Sequence, residues 1–180
     1  MGIPREPTPA KYFVALLSAE ANLLATVEGD LTALLGAIDA RSEILPWSVS
    51  RYYQEEMGAG LLRRFISFWS LISPARLAAV KLQTQQVEEK FRWNTEGRRG
   101  RRINIDPGYL EKDKIVLAST KNAAHRIYLD YGIYGEATLI YYDGAYKGCR
   151  YTYPDYLWPE TMAFLNSARN LYLEQLRHVP

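Results

Sequence analysis

The residues of this sequence best equipped for chemistry fall in two short stretches. "NIDPGYL" carries Asn104, Asp106 and Tyr109, and "STKNAAHR" carries Ser119, Thr120, Lys121, His125 and Arg126. Asp106 offers a carboxylate, and Asn104 an amide that both donates and accepts hydrogen bonds. Lys121 and Arg126, with the hydroxyls of Ser119 and Thr120, are what a phosphate or carboxylate needs: arginine gives paired N–H bonds and lysine a point charge. His125 is the one imidazole in the interior of the chain suited to proton exchange near neutral pH, since His178 stands at the C-terminal end. With Asp106 or Glu136 to position it, His125 would act as acid or base. Glu136 shares a strand face with Tyr134, Thr138, Ile140 and Tyr142, surroundings that raise a carboxylate's pKa; an ion pair to Arg126 or Lys114 is the plainer alternative. Asp155 follows Pro154 in "TYPDY" and belongs to a rigid loop expected at the rim of the same site.

Other chemistries find little support. Cys149 is the lone cysteine and there are two histidines, so neither a disulfide nor a thiolate or imidazole metal cluster is expected, and no ligand spacing makes Asp106 and Glu136 a metal pair. Cys149 has no marked base beside it and reads as a partly buried structural thiol. No cofactor motif stands out. The formal net charge is +2 and charged residues are 23%, which argues against a surface built as a whole for nucleic acid or anionic membrane. The densest basic cluster is "GRRGRR", residues 97–102, with Arg98, Arg99, Arg101 and Arg102. An RNA- or protein-interaction module using that loop is the alternative to a small-ligand site. The glycine-aromatic pattern of RNA-binding strands is missing from "RRFISFWS", and an arginine run also suits a solvated connection. The longest apolar runs are too short to span a bilayer and the start lacks a signal-peptide pattern, so the expectation is a cytoplasmic protein without a membrane partner. No feature marks an oligomeric state.

These residues need elements to hold them. "KYFVALLS" is apolar on both faces and predicts a central strand covered on both sides. A helix is expected from about Glu20 to Leu35, with Gly36 at its stop. "ARSEIL" is a weak strand, "RYYQEEMGAGLL" a long excursion, and Arg63 to Trp69 a strand rich in aromatic and β-branched residues. Ser73-Pro74 opens a helix that buries Leu77, Val80, Val87 and Phe91. "RRINI" is the next strand, with Ile103 and Ile105 on one face and Arg102, Asn104 and Asp106 on the other. Asp106-Pro107-Gly108 reads as a turn that ends it. The order is βαββαβ, a ferredoxin-like split unit over about 11–107. "KIVLAS", "HRIYL" and "YGEATLIYY" continue as strands, with a hairpin at Asp143-Gly144 and a last helix from Pro159 to about Arg177. The expected fold class is therefore α+β in one domain over 1–180. Its β-rich extension and terminal helix, about 110–177, would cover the second sheet face and turn Asn104 and Asp106 into a cleft. Fourteen tyrosines, many of them in this last third, suit a mixed sheet and a ligand wall alike.

"NIDPGYL", "ASTKNAAHRIYL", "GIYGEATL" and "TYPDY" occur in order after "KYFVALLS", "YYQEEMG" and "SPARLAAVKLQT". In these motifs the chain resembles a prokaryotic single-domain family of about this length, known as a domain of unknown function. The resemblance spans nearly the whole chain and implies no reaction or catalytic residue. Some similar proteins carry a GTP-binding label. Here no G-x-x-x-x-G-K-[ST] loop is found, and "STKNAA" departs from [NT]-K-x-D at Ala123. The combined expectation is a binder, or an enzyme, for a small anionic ligand of phosphorylated or nucleotide-like character.

Overall fold

The computed structural model describes residues 2–93 and 100–178. Within them, nine strands pair antiparallel into a single sheet and four α-helices pack on it. The strands are β1 (Ala10–Ser18), β2 (Ile38–Arg41), β3 (Leu45–Pro46), β4 (Leu62–Ile72), β5 (Ile103–Leu110), β6 (Lys114–Ser119), β7 (Ile127–Asp130), β8 (Ile133–Tyr142) and β9 (Ala145–Gly148). The helices are α1 (Ala21–Leu35), α2 (Gln54–Met57), α3 (Leu77–Lys90) and α4 (Pro159–Leu176). Across the sheet the order is β2-β4-β1-β5-β6-β8-β7, with β3 on β4 and β9 on β8.

β1 is central and its nine residues are all buried, as its two apolar faces require. Tyr12, Val14 and Leu16 enter a core with Leu24, Val27 and Leu31 of α1 and Leu77, Val80 and Val87 of α3. Phe13 and Ala15 point the other way, into a second core with Phe164, Leu165, Ala168 and Tyr172 of α4. α1 stops at Gly36, whose φ of 94° suits a residue without Cβ and whose N–H closes on the Thr32 carbonyl at 2.9 Å. Ser73 accepts from the Ala75 N–H as expected of a cap, but the turn it opens, Pro74–Arg76, is 3-10, and α3 begins one turn later.

Two expectations are corrected. The β-rich extension forms no layer of its own: β6 to β9 lengthen the sheet, and it is α4 with the 3-10 turn Pro154–Leu157 that covers the second face. Strand edges seek partners, and β5 offered a free one. Asp106-Pro107-Gly108 is not a turn either. β5 runs straight through it, with Asp106 opposite Ala15, Pro107 opposite Val14 and Gly108 opposite Phe13. Gly108 is there for space: an added Cβ would lie 2.7 Å from both the Val116 carbonyl and a Leu117 methyl and 2.9 Å from the Phe13 ring. The Asp143-Gly144 hairpin does form, with φ of 51° and 76° at its two turn residues.

Candidate functional site

The site exists because β5 and β6 part company. Their pairing is confined to Gly108–Leu110 against Ile115–Leu117. Pro107, the next residue of β5 on that edge, has no N–H to continue the ladder. At Ile105 the exposed backbone groups are instead met by two side chains of α3. The Glu88 carboxylate accepts from the Ile105 N–H at 2.6 Å, and the Lys81 ammonium donates to the Ile105 carbonyl at 2.9 Å. Lys81 and Glu88 stand about two helical turns apart on one face of α3 and meet the carbonyl and the N–H of the same residue. The sheet is thereby held open, and a cavity of about 580 Å³ fills the gap, a size suited to a small metabolite.

Its floor is a row of charges. Asn104 and Asp106 face the second layer, as the strand alternation predicts. Asn104 is 3% exposed; it donates to Asp106 at 2.6 Å and accepts from Arg101 at 2.7 Å. Arg101 is clamped in turn by Glu56, with contacts of 3.0 and 2.9 Å from its side chain and 2.9 Å from its backbone N–H. Lys81 reaches the other Asp106 oxygen at 3.0 Å. Burial alone would raise the pKa of Asp106. The charges of Lys81 and Arg63 and the hydrogen bonds from Lys81 and Asn104 outweigh it and hold the carboxyl below its ordinary value. Asp106 is therefore an anion that orders its neighbours and a poor proton acceptor. Glu88, more deeply buried, is pushed the other way by desolvation.

The wall comes from Arg63 of β4, 5% exposed, and from the loop and 3-10 turn opposite it. The Asp155 carboxylate accepts from Arg63 Nη2 at 2.9 Å and from the Trp47 indole at 3.0 Å, so one buried acid fixes both. Arg63 Nε and Nη1 and the Tyr156 hydroxyl are buried with no hydrogen-bond partner among the described residues. Tyr53 packs edge-on to Trp47 at 5.8 Å; burial, with the Asp106 charge adding to it, pushes its phenol up to about 12.

The rim holds Ser119, Thr120 and Lys121. Lys121 lies 4.3 Å over the Tyr52 ring and 3.2 Å from its hydroxyl, and meets no carboxylate among the described residues. Glu136 also lines the cavity, 5% exposed, and takes Arg126 at 3.1 Å and His125 Nε2 at 2.5 Å. Arg126 additionally donates to the Tyr153 hydroxyl at 2.8 Å, and His125 stacks on Tyr151 at 4.3 Å. Arg126 and His125 thus sit behind Glu136 and do not line the space themselves. Among the described residues four lining cations, Arg63, Lys81, Arg101 and Lys121, face four lining carboxylates, Glu88, Asp106, Glu136 and Asp155.

Most of the residues singled out from sequence are thus brought to one place. Tyr109 is not: it points to the α1–α3 face and packs on Tyr12 at 5.9 Å. Arg102, grouped with Asn104 and Asp106, bonds Glu20 at the start of α1 instead, at 2.9 and 2.5 Å. Asp155 is a buried anchor and not a rim residue. Cys149 is exposed. Of the basic loop, Arg98 and Arg99 lie outside the described residues, while Arg101 and Arg102 are both held by glutamates.

The family model described as Domain of unknown function (DUF4416) matches residues 8–172. The chain belongs to that family. No curated protein and no solved structure matches it. The matched span contains every cleft residue, including those that sequence reasoning missed: Trp47, Tyr53, Glu56, Arg63, Lys81 and Glu88. For α3 a signal was present. Lys81, Thr84 and Glu88 recur at three- and four-residue steps beside the apolar stripe, a row of polar side chains in a buried face. Arg63 shares a strand face with Phe65, which placed it in the interior by the same alternation.

Proposed function

We propose that the cleft between β5, β6 and the 3-10 turn binds a small anionic ligand. The observation that carries the reading is its hydrogen-bond balance. Each lining carboxylate already accepts from the protein, so what the cavity lacks is acceptors. Among the described residues Arg63, whose guanidinium lies 5.7 Å from the Trp47 ring and 5.8 Å from the Phe65 ring, has two nitrogens without hydrogen-bond partners, and Lys121 at the rim has only a tyrosine. A buried charged donor left unmatched costs about 1–3 kcal/mol or more, which an acceptor on a ligand would recover. Trp47, Tyr52 and Tyr53 offer apolar and aromatic surface for the body of a ligand such as a nucleotide-like compound. If the ligand is turned over, the group that meets it is the lining carboxylate Glu136, with His125 behind it as its partner. The order β2-β4-β1-β5 supports reading residues 10–110 as a ferredoxin-like βαββαβ unit, with the cleft at its junction with the extension. No described helix is long and apolar enough to cross a membrane, in keeping with a cytoplasmic ligand.

The test is thermal stabilisation of the wild type by a panel of nucleotides, sugar phosphates and carboxylic acids, repeated with Arg63→Met and Lys121→Ala. A true ligand at 100 times its Kd stabilises by about 2.7 kcal/mol. That gain should vanish in Arg63→Met and shrink in Lys121→Ala. A panel without effect, or a gain that survives Arg63→Met, defeats the reading.

A further inference from the structure

Resting on that reading of the cleft, the charge pattern says more about the ligand. We infer that the group received at Arg63 is singly charged, a carboxylate or a phosphodiester, and that a phosphate monoester dianion is disfavoured there, because Asp155 already holds the same guanidinium in a cavity where the lining charges of the described residues balance. Four lining cations meet four lining carboxylates, and behind them Glu56 on Arg101 and Arg126 on Glu136 balance again. A monoanion takes such a site to one excess negative charge. A dianion takes it to two, with the Asp155 carboxylate 2.9 Å from the nitrogen beside the donors it would use. Repulsion between like charges in a poorly hydrated space is steep.

The devices that serve phosphate dianions are also missing from the lining. Such sites gather unmatched arginines and lysines, or aim the N–H groups of a helix N-terminus at the anion. α3 contributes Lys81, Gln85 and Glu88, from its interior and its C-terminal half, where the helix dipole is negative. Lys121 is the one lining cation without a carboxylate partner among the described residues, and it is exposed at the rim whereas Arg63 is buried. The geometry therefore favours one charge deep and modest positive potential at the mouth.

The experiment compares three ligands of one frame at pH 8 by calorimetric titration: benzoate and methyl phenyl phosphate, each with one charge, and phenyl phosphate, with about two. Both monoanions are expected to bind about tenfold or more tighter than phenyl phosphate. Benzoate alone ahead, with methyl phenyl phosphate no tighter than phenyl phosphate, would overturn the charge argument and leave a preference for carboxylate shape. Asp155→Asn keeps an oxygen for the Trp47 indole and removes the charge, so it should bring the ratio toward one. Where that variant does not fold, the wild-type ratio decides alone. Phenyl phosphate binding as tightly as the monoanions overturns the inference while leaving the cleft an anion site. Absence of binding by all three, together with a silent ligand panel, removes the anion-site reading itself.

Discussion

Lys81→Met is the sharpest probe of how the cleft is held open. The substitution keeps the length of the side chain and removes the ammonium, so two losses follow. The Ile105 carbonyl, which β6 does not pair, loses its donor at 2.9 Å, a cost of about 1 kcal/mol. Asp106 loses its partner at 3.0 Å. Breaking a buried pair costs about 3–5 kcal/mol, but the Asp106 side chain is 31% exposed to the cavity, so roughly 2 kcal/mol is the appropriate share. The expected total is about 3 kcal/mol, read from urea denaturation at pH 7. The two parts separate with pH. In the wild type the folded pKa of Asp106 is depressed, so its contribution is present above the unfolded value, about 3.9, and is lost as pH falls through the folded value. In the variant only Arg63 and Asn104 still oppose burial, so the folded pKa moves up. The gap between the two proteins should therefore narrow from about pH 5 downward, toward the roughly 1 kcal/mol of the carbonyl. A gap below about 0.5 kcal/mol at pH 7, or one that stays constant across this range, would refute the account of Lys81 as the counter-charge of Asp106.

Leu16 and Leu17 are each fully buried on opposite faces of β1, so each Leu→Ala should cost about 2–5 kcal/mol in chemical denaturation; a surface-like value for either would contradict a sheet covered on both sides. Gly108→Ala places a methyl 2.7 Å from backbone and side chain of β6; a loss of about 1–3 kcal/mol is expected, with no ligand needed to see it, and a neutral result would mean that β5 and β6 can separate freely. Asp155→Ala strands the buried Arg63 guanidinium and frees the Trp47 indole. About 3–5 kcal/mol should be lost, with a change in tryptophan emission, whereas Asp155→Asn should cost clearly less.

Local pattern determined much of this protein. Two apolar faces on "KYFVALLS" demanded a central, doubly covered strand, because no arrangement with one open face could hide both. The α1 stop at Gly36, the cap at Ser73, the Asp143-Gly144 hairpin and the alternation that turns Asn104 and Asp106 from Ile103 and Ile105 were likewise legible, since each is decided within a few residues of chain. What lay beyond it was partnership between distant segments. Pro107-Gly108 is turn chemistry in isolation, yet β1 on one side holds it extended, and its missing N–H and missing Cβ serve to end the pairing with β6 and to admit close packing. Whether β6 to β9 would stack as a layer or lengthen the sheet depends on the free edge of β5, which no residue count reveals. Lys81, Glu88 and Arg63 carry only a positional hint in the sequence; their buried partners come from segments distant in the chain, Ile105 and Asp106 for the two residues of α3 and Asp155 for Arg63, and it is that long-range geometry, through desolvation and ion pairing, that makes a cleft of them.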